Sequence, residues 1–423
     1  MIGSLVADLM IGPEVWLFLS LMGCLTLFFK FSRVWSVRNL DLLLLFALAP
    51  GFMMLVGARH REPWIAFVLL FVGSGLWLIR CLVDLGLSRR PLLEPNLNMA
   101  GLTCLSVGIL GLLLAETISL PPLEGKARNP AETEARDHTP PPGSTDENAP
   151  VNRVLKLMAP GPLRPNPPQF ILARILAIVA HLGIVAGLLA VGWWHFDRPI
   201  TGMAMATCYV ISPYTRIALV DSGQLLPSAL IVTAVAFHQR PAVAGVCIGL
   251  AAGWMPACLG LVALWTGFYH GRGAWRFLSV SMTLAIACGA LAARFHGLAA
   301  WCRALGARNL SQIGMWPGVV APETGSFWSG IDVNWRLPVL ILYLALVIVT
   351  SIWPMGKNLG ELIALTAGLL VASQFWFLLE GGTLVLLYLP MILLMMFRPT
   401  LITKRALLPA HGARAAAALS SVR

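Results

Sequence analysis

Four polar side chains with complementary chemistry stand where apolar runs of the chain end or begin. Arg216, Asp221 and Gln224 lie in one segment, and Glu116 ends an earlier apolar run. A carboxylate can take the proton of a hydroxyl group during group transfer, and Arg and amide side chains donate hydrogen bonds to phosphate and sugar oxygens. Polar side chains are costly in a bilayer and tend to mark functional sites there. These residue types predict a site for a polar, anionic substrate.

Each of the four residues also has a structural interpretation, and the sequence leaves both interpretations open. Arg216 is either a phosphate ligand or an interfacial anchor paired with Asp221. Glu116 is either a catalytic base or a solvated helix end, and Gln224 either binds substrate or caps a helix. The function of these residues therefore depends on which of them meet in the fold.

The composition is that of a membrane protein. Apolar residues make up 58% of the 423-residue chain and charged residues 12%, whereas soluble proteins carry roughly 25% charged residues. The 30 Lys and Arg exceed the 19 Asp and Glu, but these basic residues stand singly or in small groups at the ends of apolar runs. That distribution is typical of topology signals. Membrane lipid is therefore an expected partner and nucleic acid is not.

Hydropathy predicts an all-α, multi-pass integral membrane protein with about thirteen transmembrane helices. The first run has no basic segment before it and is interpreted as a retained anchor. The basic loops place the amino terminus outside the cell, and the plasma (inner) membrane of a bacterium is the expected location. The predicted segments are 14–32, 40–57, 64–80, 99–116, 171–193, 201–219, 225–238, 242–255, 257–269, 277–294, 337–355, 359–379 and 383–398.

Composition divides the chain into four regions. A four-helix membrane region (1–116) precedes a Pro-rich segment (117–169), which is expected to be a disordered outer linker because it has few apolar residues to bury. A second membrane region (170–398) follows, and the basic tail (399–423) is expected in the cytoplasm. Within the second region, the Trp-rich loop 295–336 is expected to be ordered at the outer interface.

Two cations in this Trp-rich loop, Arg303 and Arg308, are further candidates for substrate binding. Loops that close over a bound substrate frequently carry such residues. The alternative is that both are ordinary loop charges.

Metal chemistry has no support in the sequence. The eight cysteines and eight histidines show no spacing that is typical of a metal site. Neither a metal nor a cofactor is expected, and the cysteines are interpreted as small buried side chains.

Several short motifs follow one another in the stretch 196–276. A turn at Phe196–Arg198 leads to a helix that ends at Ser212–Pro213, and Gly223–Gln224 opens the next helix. Arg240–Pro241 then precedes the run Gly249–Ala252. This succession resembles the GT-C superfamily of membrane sugar transferases and is most similar to glycosyltransferase family 87, the polyprenol-phosphate-mannose type.

The resemblance implies a GT-C-like fold and a definite reaction. A hexose, with mannose as a candidate, would pass from a polyprenyl phosphate carrier to an acceptor on the outer face. The family's acid in the first outer loop corresponds to Glu116, Asp221 is a second candidate base, and Arg216 with Gln224 would hold the donor. Met255 stands where the family usually has a Lys. The alternative function is a non-catalytic membrane scaffold or a carrier of a lipid-linked substrate.

Overall fold

The computed structural model of the chain describes residues 13–56, 63–87, 93–119, 167–217, 219–296, 327–330, 335–376 and 382–399. These residues form fifteen α-helices and four short 3-10 turns, and none of them lies in a strand. The α-helices are α1 (Pro13–Phe28), α2 (Val37–Leu45), α3 (Ala49–Val56), α4 (Pro63–Val83), α5 (Met99–Ser119), α6 (Pro167–Trp194), α7 (Pro199–Ile211), α8 (Pro213–Ile217), α9 (Ser222–Ala236), α10 (Pro241–Trp254), α11 (Leu259–Phe268), α12 (Ala274–His296), α13 (Arg336–Ile352), α14 (Leu359–Ser373) and α15 (Val385–Phe397).

Every segment predicted from hydropathy contains a helix, so the all-α prediction is confirmed for the described residues. Two segments are broken: α2 and α3 divide one, and Pro213 separates α8 from α7 in another. The other apolar helices are 10–17 residues long, and the number of thirteen spans stays a prediction. Five stretches are long and apolar enough to cross a membrane, namely Val37–Leu55, Trp64–Gly86, Met99–Ile118, Arg174–Trp194 and Ala274–Leu291.

The helices form a bundle whose centre and periphery are both apolar. Every residue of α15 is buried, and so are nearly all residues of α14. Helices α1, α4, α5, α12 and α13 carry large exposed apolar side chains, for example Phe18, Val72 and Ile341. A helix protein that exposes this much apolar surface on its periphery fits a lipid environment.

The two ends of the bundle carry distinct polar clusters. At one end, called the Arg398 face, Arg398 after α15 donates a hydrogen bond to Asp84 after α4, and its guanidinium leaves no room for a Cβ on Gly360 at the start of α14. The opposite end, called the Glu116 face, carries Glu116 near the end of α5 and Arg216 on α8. The basic loops of the sequence predict that the Glu116 face is outside the cell.

On the Glu116 face, α14 ends and α15 begins deeper in the bundle than the point at which α4 begins. Gln374, next to the last residue of α14, donates to the Ser74 hydroxyl at 2.8 Å. Ser74 lies eleven residues beyond Pro63, so α14 stops about 16 Å below the start of α4. Gly382, just before α15, packs against Leu70 of α4. The described part of this face is therefore recessed around α14 and α15.

The predicted linker and the Trp-rich loop lie mainly outside the described residues. At their margins, α5 continues to Ser119 and α6 begins at Pro167, so both ends of the segment 117–169 are helical. Of the loop 295–336, the 3-10 turn Phe327–Gly330 packs on α4, where the rings of Phe327 and Phe71 stack with centroids 3.8 Å apart. The remainder of the loop lies outside the described residues, so its predicted order stays a prediction.

Candidate functional site

Arg216 and Glu116 form an ion pair on the Glu116 face. Nε of Arg216 donates to both carboxylate oxygens of Glu116, each at 3.0 Å, and the guanidinium lies over the Trp16 ring, 5.1 Å from its centroid. Only 21% of the Glu116 side chain and 15% of the Arg216 side chain is exposed. Glu116 is therefore a partly buried, ion-paired residue rather than a freely solvated helix end.

Asp221 and Gln224 form a second pair, at the start of α9. Asp221 is the N-cap of this helix, and its carboxylate accepts from the Gln224 backbone N–H at 3.3 Å and from Gln224 Nε2 at 2.8 Å. Gln224 Nε2 also contacts the Thr383 carbonyl at 3.3 Å. The predicted pairing of Arg216 with Asp221 is wrong. Arg216 forms an ion pair with Glu116, and the Asp221 carboxylate accepts hydrogen bonds from the residue three positions further along the chain, as helix N-caps commonly do.

The break between α7 and α8 positions Arg216. Proline cannot donate to the preceding turn, so α7 ends before Ser212–Pro213 and the chain turns into the short helix α8. Two hydrogen bonds fix that turn: Thr215 Oγ1 donates to the Tyr209 carbonyl at 2.6 Å, and Tyr214 OH donates to the Leu45 carbonyl at 2.5 Å. Arg216 is thus held by a rigid local structure that is anchored to the first membrane region.

His181 on α6 supports the segment that leads to Asp221. Its Nε2 lies 3.0 Å from the Leu219 carbonyl oxygen and its Nδ1 lies 2.9 Å from the Tyr209 hydroxyl. His181 ties the connection between α8 and α9 to α7 and therefore positions Asp221.

Burial and hydrogen bonding act in opposite directions on Asp221. Burial raises the pKa of Asp221 above its ordinary value, and the hydrogen bonds from Gln224 and Gly223 lower it, with burial the larger effect. A carboxyl group whose pKa is raised is a better proton acceptor at neutral pH. Two hydrogen-bonded oxygens still leave lone pairs on the carboxylate for a substrate hydroxyl.

The remaining predicted site residues, Arg303 and Arg308, lie outside the described residues. Their predicted contact with substrate stays a prediction. The four others form two pairs on one face, with Glu116 and Arg216 in one pair and Asp221 and Gln224 in the other.

Gly249, in the run that contributes to the GT-C resemblance, belongs to a row of glycines with a packing role. Gly245, Gly249 and Gly253 follow one another at intervals of four on α10 and face α12. A Cβ on Gly249 would lie 2.6 Å from the Ser281 carbonyl oxygen. Small residues at this spacing allow membrane helices to approach closely. This part of the motif therefore describes helix packing rather than a substrate contact.

The sequence interpretation missed a buried charge network on the Arg398 face. Arg80 donates to Asp41 at 2.6 and 2.8 Å and to Asp84 at 2.9 Å, and Arg398 donates to Asp84 as well. The i, i+4 spacing of Arg80 and Asp84 was a usable signal, as was the acidic Asp41 within an apolar run. The pairings of Asp41 with Arg80 and of Asp84 with Arg398 join distant parts of the chain and have no local signal.

Comparison with protein-family models, with curated proteins and with solved structures gives no match to this chain. The resemblance to the GT-C superfamily and to glycosyltransferase family 87 accordingly stays a prediction. Support for a function of this chain therefore comes from the geometry of the candidate site.

Proposed function

We propose that the chain is a membrane glycosyltransferase that moves a hexose, with mannose as the first candidate, from a polyprenyl phosphate carrier to an acceptor on the outer face of the membrane. The observation that carries the proposal is that the pairs Arg216–Glu116 and Asp221–Gln224 both lie on the Glu116 face of an apolar bundle. A cation and a carboxylate at the membrane interface match a donor that consists of a sugar, a phosphate and a lipid.

The reaction needs one proton acceptor and one group that stabilises the departing phosphate. Asp221 takes the proton of the acceptor hydroxyl, whose oxygen bonds to the anomeric carbon as the bond from that carbon to the phosphate oxygen breaks. The polyprenyl phosphate leaves with the bonding electrons, and Arg216 stabilises its negative charge. Gln224 orients Asp221 through the 2.8 Å hydrogen bond.

Glu116 has a different role in this proposal from that of Asp221. Its two oxygens both accept from Nε of Arg216, so the ion pair engages both of them. Burial instead raises the pKa of Asp221. Asp221 is therefore the proposed base, and Glu116 orients Arg216.

The test is an assay of purified protein with labelled polyprenyl-phosphate mannose and an acceptor extract. Asp221→Asn keeps a good N-cap residue and is expected to lower the transfer rate by about 10²- to 10⁴-fold, the usual contribution of a general base. Glu361→Gln is the matched control, because Glu361 is also an acid near a helix start, where it completes the Asn358 capping box on α14. Equal rates in the wild type and in Asp221→Asn would exclude Asp221 as the base.

A second function is favoured by a specific observation: both carboxylates have structural partners, since Glu116 pairs with Arg216 and Asp221 caps α9. The alternative is a non-catalytic scaffold or a carrier of a lipid-linked substrate. It predicts binding of the lipid-linked sugar without transfer, unchanged by Asp221→Asn. The same purified preparation distinguishes the two, because labelled sugar either stays on the lipid or appears on the acceptor.

A further inference from the structure

Four buried polar atoms along the contact between α1 and the α7–α8 turn have no hydrogen-bond partner among the described residues. They are Nε1 of Trp16 and Oγ of Ser20 on α1, with Oγ of Ser212 and Nη1 of Arg216 on the other side. Ser20 is 2% exposed and Ser212 is fully buried. Because buried polar atoms in folded proteins nearly always have a partner, this group, called the α1 seam, indicates a site for a bound molecule.

Two contacts bracket the α1 seam. At one end the Arg216 guanidinium lies over the Trp16 ring, and at the other a Cβ on Gly23 would lie 3.4 Å from Cγ2 of Ile211. Ser20 lies between Trp16 and Gly23 on the same side of α1, since residues three and four apart share a helix face. Ser212 directly follows Ile211. The two serines therefore belong to the same contact as the indole and the guanidinium.

The unpaired atoms of the α1 seam are mainly hydrogen-bond donors. An indole N–H and a guanidinium can only donate, and each serine hydroxyl has a proton to donate. Nε of Arg216 is already bonded to Glu116, so that carboxylate does not meet the unpaired Nη1. Donors of this kind call for a negatively charged group that is rich in acceptor oxygens, and phosphate has that chemistry.

The position of the α1 seam suits a phosphate that is attached to a lipid. Trp16 and Ser20 lie in the first two turns of α1, at about the depth of lipid head groups. Leu19 and Val15 flank the face of α1 that carries Trp16 and Ser20, and both are exposed, which fits contact with lipid beside the seam. A lipid-borne phosphate can thus approach the seam laterally from the bilayer.

We propose that the α1 seam, formed by Trp16, Ser20, Ser212 and Arg216, binds the phosphate group of a lipid. The identity of that lipid as a polyprenyl phosphate rests on the proposed function. In this arrangement Trp16 holds the guanidinium with its ring and donates to the phosphate with its N–H, so that α1 of the first membrane region contributes directly to the site.

The test measures phosphate binding to the full chain in phosphatidylcholine nanodiscs. Three probes are titrated and followed by ³¹P NMR: a polyprenyl phosphate, phosphatidic acid and inorganic phosphate. Trp16→Phe keeps the ring beneath Arg216 and removes only the N–H, and Ser20→Ala with Ser212→Ala removes the two hydroxyls. Each change is expected to raise the Kd by about tenfold, since hydrogen bonds to charged groups are among the stronger ones.

The matched controls are Trp64→Phe on α4 and Ser281→Ala on α12, whose hydroxyl already has the Leu278 carbonyl as its partner at 3.2 Å. Both are expected to keep the wild-type Kd. If the seam variants weaken the binding of polyprenyl phosphate alone, the seam is specific for the carrier. If they also weaken the binding of phosphatidic acid, the seam binds lipid phosphates in general. If they weaken the binding of inorganic phosphate as well, the phosphate group itself is what the seam recognises.

Two results would overturn the proposal: no saturable binding of any probe, or a Kd within twofold of the wild type in both seam variants. These results are separable from the fate of the glycosyltransferase. Loss of binding in Trp16→Phe without sugar transfer by the wild type would support the seam and exclude the enzyme. Sugar transfer by the wild type together with unchanged binding in Trp16→Phe would support the enzyme and exclude the seam.

Discussion

The two polar clusters at opposite faces of the bundle differ in burial and in how their charges are linked. In the network of the Arg398 face the ion-paired side chains are at most 11% exposed, whereas those of the Arg216–Glu116 pair are 15% and 21% exposed. On the Arg398 face, all four carboxylate oxygens of Asp41 and Asp84 accept a hydrogen bond from Arg80 or Arg398. On the Glu116 face, Nη1 of Arg216 and Oε1 of Gln224 are buried and lack a partner among the described residues.

This difference separates a structural role from a binding role. In a deeply buried network in which two arginines share one carboxylate, removing one member leaves an uncompensated charge. A cluster with unpaired buried donors binds a ligand with acceptor groups favourably, because the ligand satisfies those donors. We therefore expect substitutions on the Arg398 face to lower the stability of the protein, and substitutions on the Glu116 face to weaken ligand binding and lower the reaction rate.

The largest expected effect on stability is that of Asp84→Asn. This change removes one negative charge between two buried arginines, so we expect the free energy of unfolding in detergent to fall by about 3–5 kcal/mol. Glu94→Gln is the control, because Glu94 and Arg198 form an exposed pair at 3.5 Å, with 58% and 45% of their side chains exposed. Its expected loss is below about 1 kcal/mol.

Equal losses in Asp84→Asn and Glu94→Gln, measured by chemical unfolding under the same conditions, would contradict the structural role of the network. The comparison between the two faces would then have no energetic basis. A loss confined to Asp84→Asn would support it.

A smaller loss of stability is expected for Glu116→Gln. The Arg216–Glu116 pair is only partly buried, so solvent screens it and the expected change is about 1 kcal/mol. Glu361→Gln provides the same chemical change on the opposite face. A loss as large as that of Asp84→Asn would show that the Glu116 face is also a structural network, and the distinction between the faces would fail.

Much of the helical fold was predictable because it depends on local patterns. Apolar runs predicted the location of every described helix, and the Pro213 break was visible in the sequence as a proline within an apolar run. The short helices α14 and α15 needed more than hydropathy. Their burial on all sides depends on the longer helices around them, and that arrangement is a property of the packed bundle.

The candidate site was predictable in its members but not in its pairs. Arg216 and Glu116 are 100 residues apart in the chain, and no local rule connects them, so the nearer Asp221 was a reasonable but wrong partner. The pairing of Asp221 with Gln224 was accessible, since an acidic N-cap followed three residues later by Gln is a helix-start pattern. The role of Trp16 depends on the packing of α1 and has no local signal.

The finest distinction between the faces is the pH dependence of the proposed reaction. Asp221 is active as a base only when deprotonated, and because burial raises its pKa, transfer is expected to be lost on acidification at a higher pH than for an exposed Asp. The Gln224 side chain opposes that shift by donating to the carboxylate at 2.8 Å. In Gln224→Leu the pKa of Asp221 should rise further, and the acid limb of kcat/KM against pH should move to higher pH.

Gln374→Leu is the matched control, because Gln374 is another buried glutamine but bonds to Ser74 rather than to an acid. Its acid limb is expected to coincide with that of the wild type. A limb that stays in place in Gln224→Leu, or moves to lower pH, would mean that a group other than Asp221 controls the rate. An equal move in both variants would point to a general effect of bundle packing, and the Glu116 face would lose its distinct role in catalysis.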